Sequence, residues 1–214
     1  MYCSLEISKH ITIGSTSIWL NTAFLIFLTK KNIIVSTNNV NYNNILFVLI
    51  ILSKMIVSTL NWNPKNFLYE SNAYNKIDGR LGKILYLYLL YFDSYNFTRK
   101  VPKYPLNILI CFCVSHYFNK KQNHLYYTIS HLLLRYIGFI WMLKLINKNA
   151  FNKLKPLSLF YWINSLHLYY KYQNLKISDN EKSIIELNQI YYKECEYTFI
   201  YSIISYFYAL KNLQ

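Results

Sequence analysis

Acidic residues are scarce in this chain of 214 amino acids, where nine Asp and Glu stand against 23 Lys and Arg and give a net charge of +14. Glycine and proline occur only four times each, which argues against a loop-rich β-sandwich and against fibrous proteins. Four cysteines are too few for a disulfide-stabilised scaffold. Because 54% of the residues are hydrophobic and 19% aromatic, the chain can bury enough apolar surface to fold, which excludes intrinsic disorder.

The few acids are also unevenly placed along the chain. No Asp or Glu occurs between Asp93 and Asp179, a stretch that contains twelve basic residues. Since the surface of an ordinary soluble protein mixes both signs of charge, a purely positive surface favours a phosphate-rich partner such as RNA. The alternative is that the lysines lie in basic loops beside a membrane.

The composition is skewed toward residues with A/T-rich codons, and arginine occurs only three times against twenty lysines. Such a bias is typical of an AT-rich, organellar genome and raises hydrophobicity without a functional cause. The segment Met1–Glu6 is not rich in arginine and carries an acid, so no cleavable presequence is predicted. We therefore expect an organelle-encoded protein of the mitochondrial matrix.

Long, purely apolar runs are missing. Residues 11–29 are uncharged over the length of a membrane span, but small or polar residues are frequent among them, including Thr12, Gly14, Ser15, Thr16, Ser17, Asn21 and Thr22. The apolar run 45–52 is too short, and 125–143 would place His131 and Arg135 in the middle of a span, which is costly. The sequence thus predicts no membrane span.

Short apolar runs alternate with longer segments, which predicts strands alternating with helices. This pattern implies a three-layer α/β fold with a doubly wound, mostly parallel sheet. The predicted strands are residues 33–37, 107–114 and 136–141, and the predicted helices are 43–56, 125–134 and 163–172.

The last part of the chain differs in charge from the rest. Residues 179–214 carry five acids and three bases, whereas residues 1–178 carry four acids and twenty bases. Ser178 and Glu181 have capping-box spacing, which predicts a helix from about Asp179 to Leu210, with a break near Glu196 left open. We interpret 1–176 as the α/β domain and 177–214 as a helical extension that contacts protein.

The sequence contains no convincing catalytic or metal-binding pattern. Outside the C-terminal tail, where Glu194 and Glu196 flank Cys195, no two acids are closely spaced, and there is no glycine-rich phosphate loop. Cys111 and Cys113 fall on one face of a predicted strand and are interpreted as core residues. We therefore expect no enzymatic activity, cofactor, small-molecule substrate or metal site.

Six segments, taken in order over roughly residues 6–175, resemble landmarks of the small-subunit ribosomal protein family numbered two, in its bacterial and organellar form. They are His10–Gly14 with Trp19–Asn21, Lys31–Asn38, Gly79–Leu85, Pro105–Cys111, His124–Ile140, and Lys155–Ser158 with Trp162–Leu166. The resemblance implies a doubly wound parallel sheet with a reduced helical-hairpin insertion. It also implies a role in assembling the small subunit, without catalysis.

The predicted function is a structural constituent of the mitochondrial small ribosomal subunit that binds ribosomal RNA by shape and phosphate. Neighbouring small-subunit proteins would contact the C-terminal helix. The alternative is an integral membrane subunit of a mitochondrial respiratory complex, with residues 11–29 and 45–60 as spans. The predicted RNA contacts are Lys9, His10, Lys30, Lys31, Arg80, Lys83, Arg99, Lys100, Lys103, Lys120 and Lys121.

Overall fold

The computed structural model describes residues 4–30, 42–63, 73–94, 103–146, 149–175 and 181–213. Every regular element within these ranges is an α-helix, seven of them long and one a single turn. The helices are α1 (Ser4–Lys30), α2 (Tyr42–Trp62), α3 (Ala73–Ser94), α4 (Lys103–Lys120), α5 (His124–Ile146), α6 (Ala150–Lys153), α7 (Lys155–Tyr172) and α8 (Glu181–Asn212).

The predicted α/β fold with a doubly wound parallel sheet is therefore wrong. Residues 107–114, predicted as a strand, lie inside α4, and residues 136–141 lie inside α5, while 33–37 falls outside the described ranges. A short apolar run shows the same residue pattern in a buried strand and in a buried helix. Only the length of the segment and the glycine or proline residues beside it distinguish the two structures. Here each run belongs to a longer stretch without an interrupting proline, which favours the helix.

The segments predicted as helices are helical. Residues 43–56 lie in α2, 125–134 in α5 and 163–172 in α7. The C-terminal helix α8 continues unbroken through Glu196. The proposed domain boundary at 176/177 falls in a part of the chain that is not described and stays a prediction, although α8 packs along the first helix.

Helix α1 lies at the centre of the bundle, where it contacts α2, α5, α7 and α8. The α4–α5 pair is antiparallel, since the hydroxyl of Ser115 lies 2.9 Å from that of Ser130 across the turn that joins the two helices. The α1–α7 pair is also antiparallel, because Ser8 bonds to Tyr169 near one end and Trp19 stacks on Tyr161 further along. The fold is an up-and-down helical bundle rather than a layered sheet.

The central helix α1 has an unusually polar buried face. Its buried residues include six serines and threonines: Ser8, Thr12, Ser15, Thr16, Ser17 and Thr22. Several of these hydroxyls donate to carbonyl oxygens of their own helix, for example Ser15 to Ile11 at 2.7 Å and Thr22 to Ile18 at 3.1 Å. Because these hydrogen bonds are made within α1, its small side chains can be buried while neighbouring helices approach closely.

One apolar cluster of the bundle is centred on Trp19 in α1. Trp19 lies 4.7 Å from the ring of Phe139 and 4.8 Å from that of Tyr161, measured between ring centroids. The indole nitrogen of Trp19 donates to the hydroxyl of Ser205 at 3.2 Å, which ties α8 to the same core. This cluster joins α1, α5, α7 and α8 into one packed unit.

Gly14 is the point of closest approach in the bundle. A methyl group at this position would lie 2.6 Å from the Cε2 atom of Tyr191 and 2.8 Å from the Cβ atom of Trp62. We therefore predict that Gly14→Ala lowers the free energy of unfolding by about 1–3 kcal/mol, because both neighbours must shift. The shift in the unfolding midpoint of the purified chain measures the effect.

The matched control is Gly138→Ala, also in a helix, where an added methyl group would meet no atom within 4 Å. Because alanine has the higher helix propensity, we expect this variant to be unchanged or more stable by about 0.5–1 kcal/mol. If the two variants had equal stability, the close approach at Gly14 would be wrong.

Candidate functional site

The structure does not gather the predicted RNA contacts on one surface. Arg80, Lys83, Lys103, Lys120 and Lys121 are exposed. Lys103 and Lys120 stand at opposite ends of α4, which a helix of this length separates by about 26 Å.

The other predicted contacts lie elsewhere. Lys9 and His10 are each 5% exposed and belong to the interior. Lys30 is the last residue of α1, and its side chain is not among those described. Lys31, Arg99 and Lys100 lie outside the described ranges. Of the seven predicted contacts whose side chains the structure describes, five are accessible to a partner of the folded chain, on separate parts of the bundle.

A cluster of polar and ionisable side chains lies inside the bundle, and we call it the interior cluster. It comprises His10 on α1, Lys54 and Trp62 on α2, Asp78 on α3, and Tyr127, His131 and Arg135 on α5. The three α5 residues are spaced by four, so they lie on one face of that helix.

Arg135 is a buried cation of the interior cluster, and it contacts α1. It is 6% exposed, and its guanidinium donates to the backbone oxygen of Ile13 and, at 3.4 Å, to the hydroxyl of Thr16. Both acceptors are neutral. Among the described residues, no carboxylate forms an ion pair with Arg135.

Lys54 and Asp78 form a separate buried ion pair between α2 and α3. The ammonium of Lys54 donates to the carboxylate of Asp78 and, at 2.9 Å, to its backbone oxygen. The two side chains are only 15% and 13% exposed. Asp78 is thereby already engaged, although it lies close enough to act on Arg135 through space.

Trp62 joins the aromatic part of the interior cluster. Its ring lies 5.4 Å from His10 on one side and 5.4 Å from His131 on the other. His131 in turn stacks on Tyr127 at 5.6 Å. The indole nitrogen of Trp62 is buried and finds no hydrogen-bond acceptor within the described part of the chain.

The cation Lys9 lies beside this cluster, toward the end of the bundle where α1 begins. The ammonium of Lys9 lies 5.3 Å from the ring centroid of Tyr127 and 3.5 Å from the carboxylate of Glu6. The interior cluster and its approach thus carry an excess of positive charge and of hydrogen-bond donors.

A second charged group lies between α7 and α8. The carboxylate of Glu194 accepts a hydrogen bond from Lys171 at 2.8 Å and another from the hydroxyl of Tyr172. The hydrogen bond to Glu194 raises the pKa of the Lys171 ammonium above its ordinary value. This group ties the end of α7 to α8 and has no feature that indicates a ligand.

The cysteines do not form a site. Cys111 is buried and Cys113 is exposed, because residues two apart on a helix point roughly 200° from each other. The expectation that both lie on one buried face was therefore wrong, and it failed with the strand. Within the described ranges, no group of three or more His, Cys, Asp or Glu side chains could hold a metal ion.

The sequence analysis missed the interior cluster. In the sequence, Arg135 and His131 indicated that a membrane span over residues 125–143 would be costly. The spacing of Tyr127, His131 and Arg135 was a usable indication, because it places three polar groups on one helical face. The pairing of Lys54 with Asp78 depends on how α2 and α3 pack, and no local pattern indicates it.

The ion pair between Lys54 and Asp78 yields a stability prediction. Asp78→Asn leaves the buried ammonium of Lys54 without its counter-charge, and we expect the free energy of unfolding to fall by about 3–5 kcal/mol. Thermal or denaturant unfolding of the purified chain measures the loss.

The double variant Lys54→Met with Asp78→Leu is the control. It removes both charges and keeps apolar volume, so we expect stability within about 1 kcal/mol of the original or higher. An Asp78→Asn variant as stable as the unaltered chain would show that the pair is solvated.

No family model, curated protein or solved structure matches this chain. The resemblance to the small-subunit ribosomal family therefore stays a prediction. What the chain does has to be argued from the distribution of its own residues, and in particular from a buried, donor-rich cluster centred on Arg135.

Proposed function

We propose that the chain is an integral membrane subunit, the alternative that the sequence left open, and that it serves as a structural, non-catalytic part of a mitochondrial respiratory complex. The observation that carries the proposal is an inverted distribution of side chains. Many large apolar residues of the described helices lie on the outside, while many serines and threonines and a few charged residues, Lys9, Arg135 and Glu194, are buried.

Helix α4 presents the distribution most simply. The sixteen residues between Lys103 and Lys120 contain no charge. The side chains of this helix that are exposed are mostly apolar, among them Leu109, Ile110 and Phe112, whereas Ser115 is buried. An outer face that is apolar in the middle and charged at both ends suits a lipid bilayer better than water.

The last two long helices repeat this arrangement. In α8 the exposed face carries Phe199, Ile200, Ile203, Ile204 and Phe207. Within residues 197–210, which are uncharged, its buried positions are Thr198, Ser202, Ser205 and Ala209, whereas the buried positions of its first half are Leu187, Tyr191, Glu194 and Cys195. In α7, Leu159 and Ile163 are exposed while two serines are buried. Water-soluble helices place these residue types the other way round.

The number of exposed apolar side chains also supports a membrane location. Among the described residues, 32 large apolar side chains are exposed, which exceeds the 26 hydrophobic residues that are buried. Contiguous apolar surface on this scale marks a site of contact with protein or membrane.

The long helices have 18 to 32 residues and thus span about 27 to 48 Å. The hydrocarbon layer of a bilayer is about 30 Å thick. No helix within the described ranges is by itself long and apolar enough to cross a bilayer. The proposal rests on the bundle, in which the polar residues of each helix face other helices.

A second candidate is the ribosomal role predicted from the sequence. The observation that favours it is the exposure of Arg80, Lys83, Lys103, Lys120 and Lys121, in a chain whose residues 94–178 hold no acid. These side chains could neutralise phosphates, and the apolar exterior would then be covered by neighbouring proteins.

The membrane proposal predicts opposite effects for two arginine substitutions in α4. Ile110→Arg places a charge in the middle of the exposed apolar face, which costs about 2.5–3.5 kcal/mol in a bilayer. The chain is synthesised in the presence of liposomes, which are then extracted with alkaline carbonate. We expect the unaltered chain to stay with the liposomes and Ile110→Arg to be largely released.

Asn119→Arg is the matched control, because Asn119 is exposed on the same helix but at its end. We expect this variant to stay with the liposomes like the unaltered chain. Release of the unaltered chain by carbonate, together with a higher soluble yield of Ile110→Arg, would contradict the membrane proposal.

The ribosomal candidate has a separate test in organelle extracts. If it holds, the chain co-sediments with the small ribosomal subunit, and RNase or high salt abolishes this. The double variant Lys120→Gln with Lys121→Gln should then weaken co-sedimentation and make it less salt-dependent. Migration with respiratory complexes on a native gel, insensitive to RNase, would contradict the ribosomal candidate.

A further inference from the structure

We propose that the interior cluster around Arg135 is a binding site for a small oxyanion, of the carboxylate or phosphate class. This inference goes beyond a structural role and does not depend on whether lipid or protein covers the outside of the bundle. It rests on the balance of charge inside the bundle, on the donors that converge there and on their positions along α1.

Among the described residues in and beside the interior cluster, one buried cation has no acidic partner of its own. Glu6 lies beside Lys9, and Asp78 is engaged by Lys54, so each of these two acids has its own cation. Arg135 is the remaining buried cation and, within the described residues, bonds only to neutral oxygens. A buried charge without a counter-charge is unfavourable, and an anionic ligand would supply what is missing.

The hydrogen-bonding groups of the site are mostly donors. A guanidinium has five N–H groups and no acceptor, and an indole has one N–H and no acceptor. The indole nitrogen of Trp62 is buried without a partner in the described part of the chain, in a residue that is only 8% exposed. An oxyanion offers acceptors alone and therefore complements both groups.

Both donors border the same short segment of α1. Arg135 bonds to the backbone oxygen of Ile13, and the ring of Trp62 packs against His10 at 5.4 Å. On α5, Trp62 packs against His131, one helical turn before Arg135. One turn corresponds to about 5.4 Å along a helix, so the two donors lie at neighbouring levels of α5.

The surroundings restrict the size of the ligand. His10, Trp62 and Arg135 are all at most 8% exposed, and an added methyl group at Gly14 would overlap Trp62. Such close packing favours acetate- or phosphate-sized groups over bulky ones. The ammonium of Lys9, toward the end of the bundle, would attract an anion into this region.

The experiment measures the unfolding temperature of the full chain in a neutral detergent, with inorganic phosphate or acetate added and chloride as the reference at equal ionic strength. We expect phosphate or acetate, near a hundredfold excess over its dissociation constant, to raise the unfolding temperature by about 5 °C. Arg135→Gln should abolish this increase.

Two further variants keep the test decisive if Arg135→Gln does not fold. Trp62→Phe keeps an aromatic ring and removes only the N–H, so we expect binding of the anion to weaken about tenfold. Arg135→Lys keeps the charge and loses the forked donors, so it should bind more weakly than the unaltered chain. Lys103→Gln removes an exposed cation on α4 and should leave the response unchanged.

The source of the oxyanion is distinguished by a second arm with detergent micelles that contain phosphatidylglycerol. A response to this lipid but not to free phosphate or acetate, and only when Arg135 is present, assigns the site to a lipid headgroup. If no anion stabilises the unaltered chain, or if Trp62→Phe and Arg135→Lys respond as strongly as it does, the proposal is wrong. The carbonate extraction is unaffected by either result, so the two proposals fail separately.

Discussion

The bundle depends on a central helix in which several buried hydroxyl groups donate to its own backbone. Ser15, Thr16 and Thr22 each donate to the carbonyl oxygen four residues earlier. This removes the cost of burying polar groups and leaves a slender helix against which four other helices pack. Tyr191 and Trp62 can approach Gly14 closely for a similar reason, because glycine has no side chain to keep them apart. Large apolar side chains at these positions would have forced the neighbouring helices apart.

The slender, polar centre explains why charged groups can lie inside. Arg135 reaches a backbone oxygen of α1, and Lys54 and Asp78 neutralise each other beside it. The aromatic rings of Trp62 and His131 contact each other in the same cluster. With polar groups inside, many large apolar residues lie on the outer faces of α4, α7 and α8. The inverted exterior and the interior cluster are thus two aspects of one arrangement.

Part of the helical content was predicted from the sequence, but the helices α1 and α3 and the fold class were not. Residues 125–134 and 163–172 were predicted as helices, and the C-terminal helix was placed within two residues at each end. The errors fell on 107–114 and 136–141, where isoleucine, phenylalanine and cysteine resembled buried strands. Such residues are abundant throughout the chain, so β-propensity had little value here. Both α4 and α5 contain them, and both are helices.

By itself, the sequence determined the positive charge, the acid-free stretch and the long uncharged segments that became helices, because these are properties of composition and local order. Only the tertiary structure decided which faces are buried. It brought Lys54 to Asp78 and Arg135 to Ile13, residues that lie far apart in the chain. It also turned the predicted RNA contacts Lys9 and His10 inward, since the packing of α1 against α2 and α5 encloses that face. Burial is a property of packed helices, and no local pattern contains it.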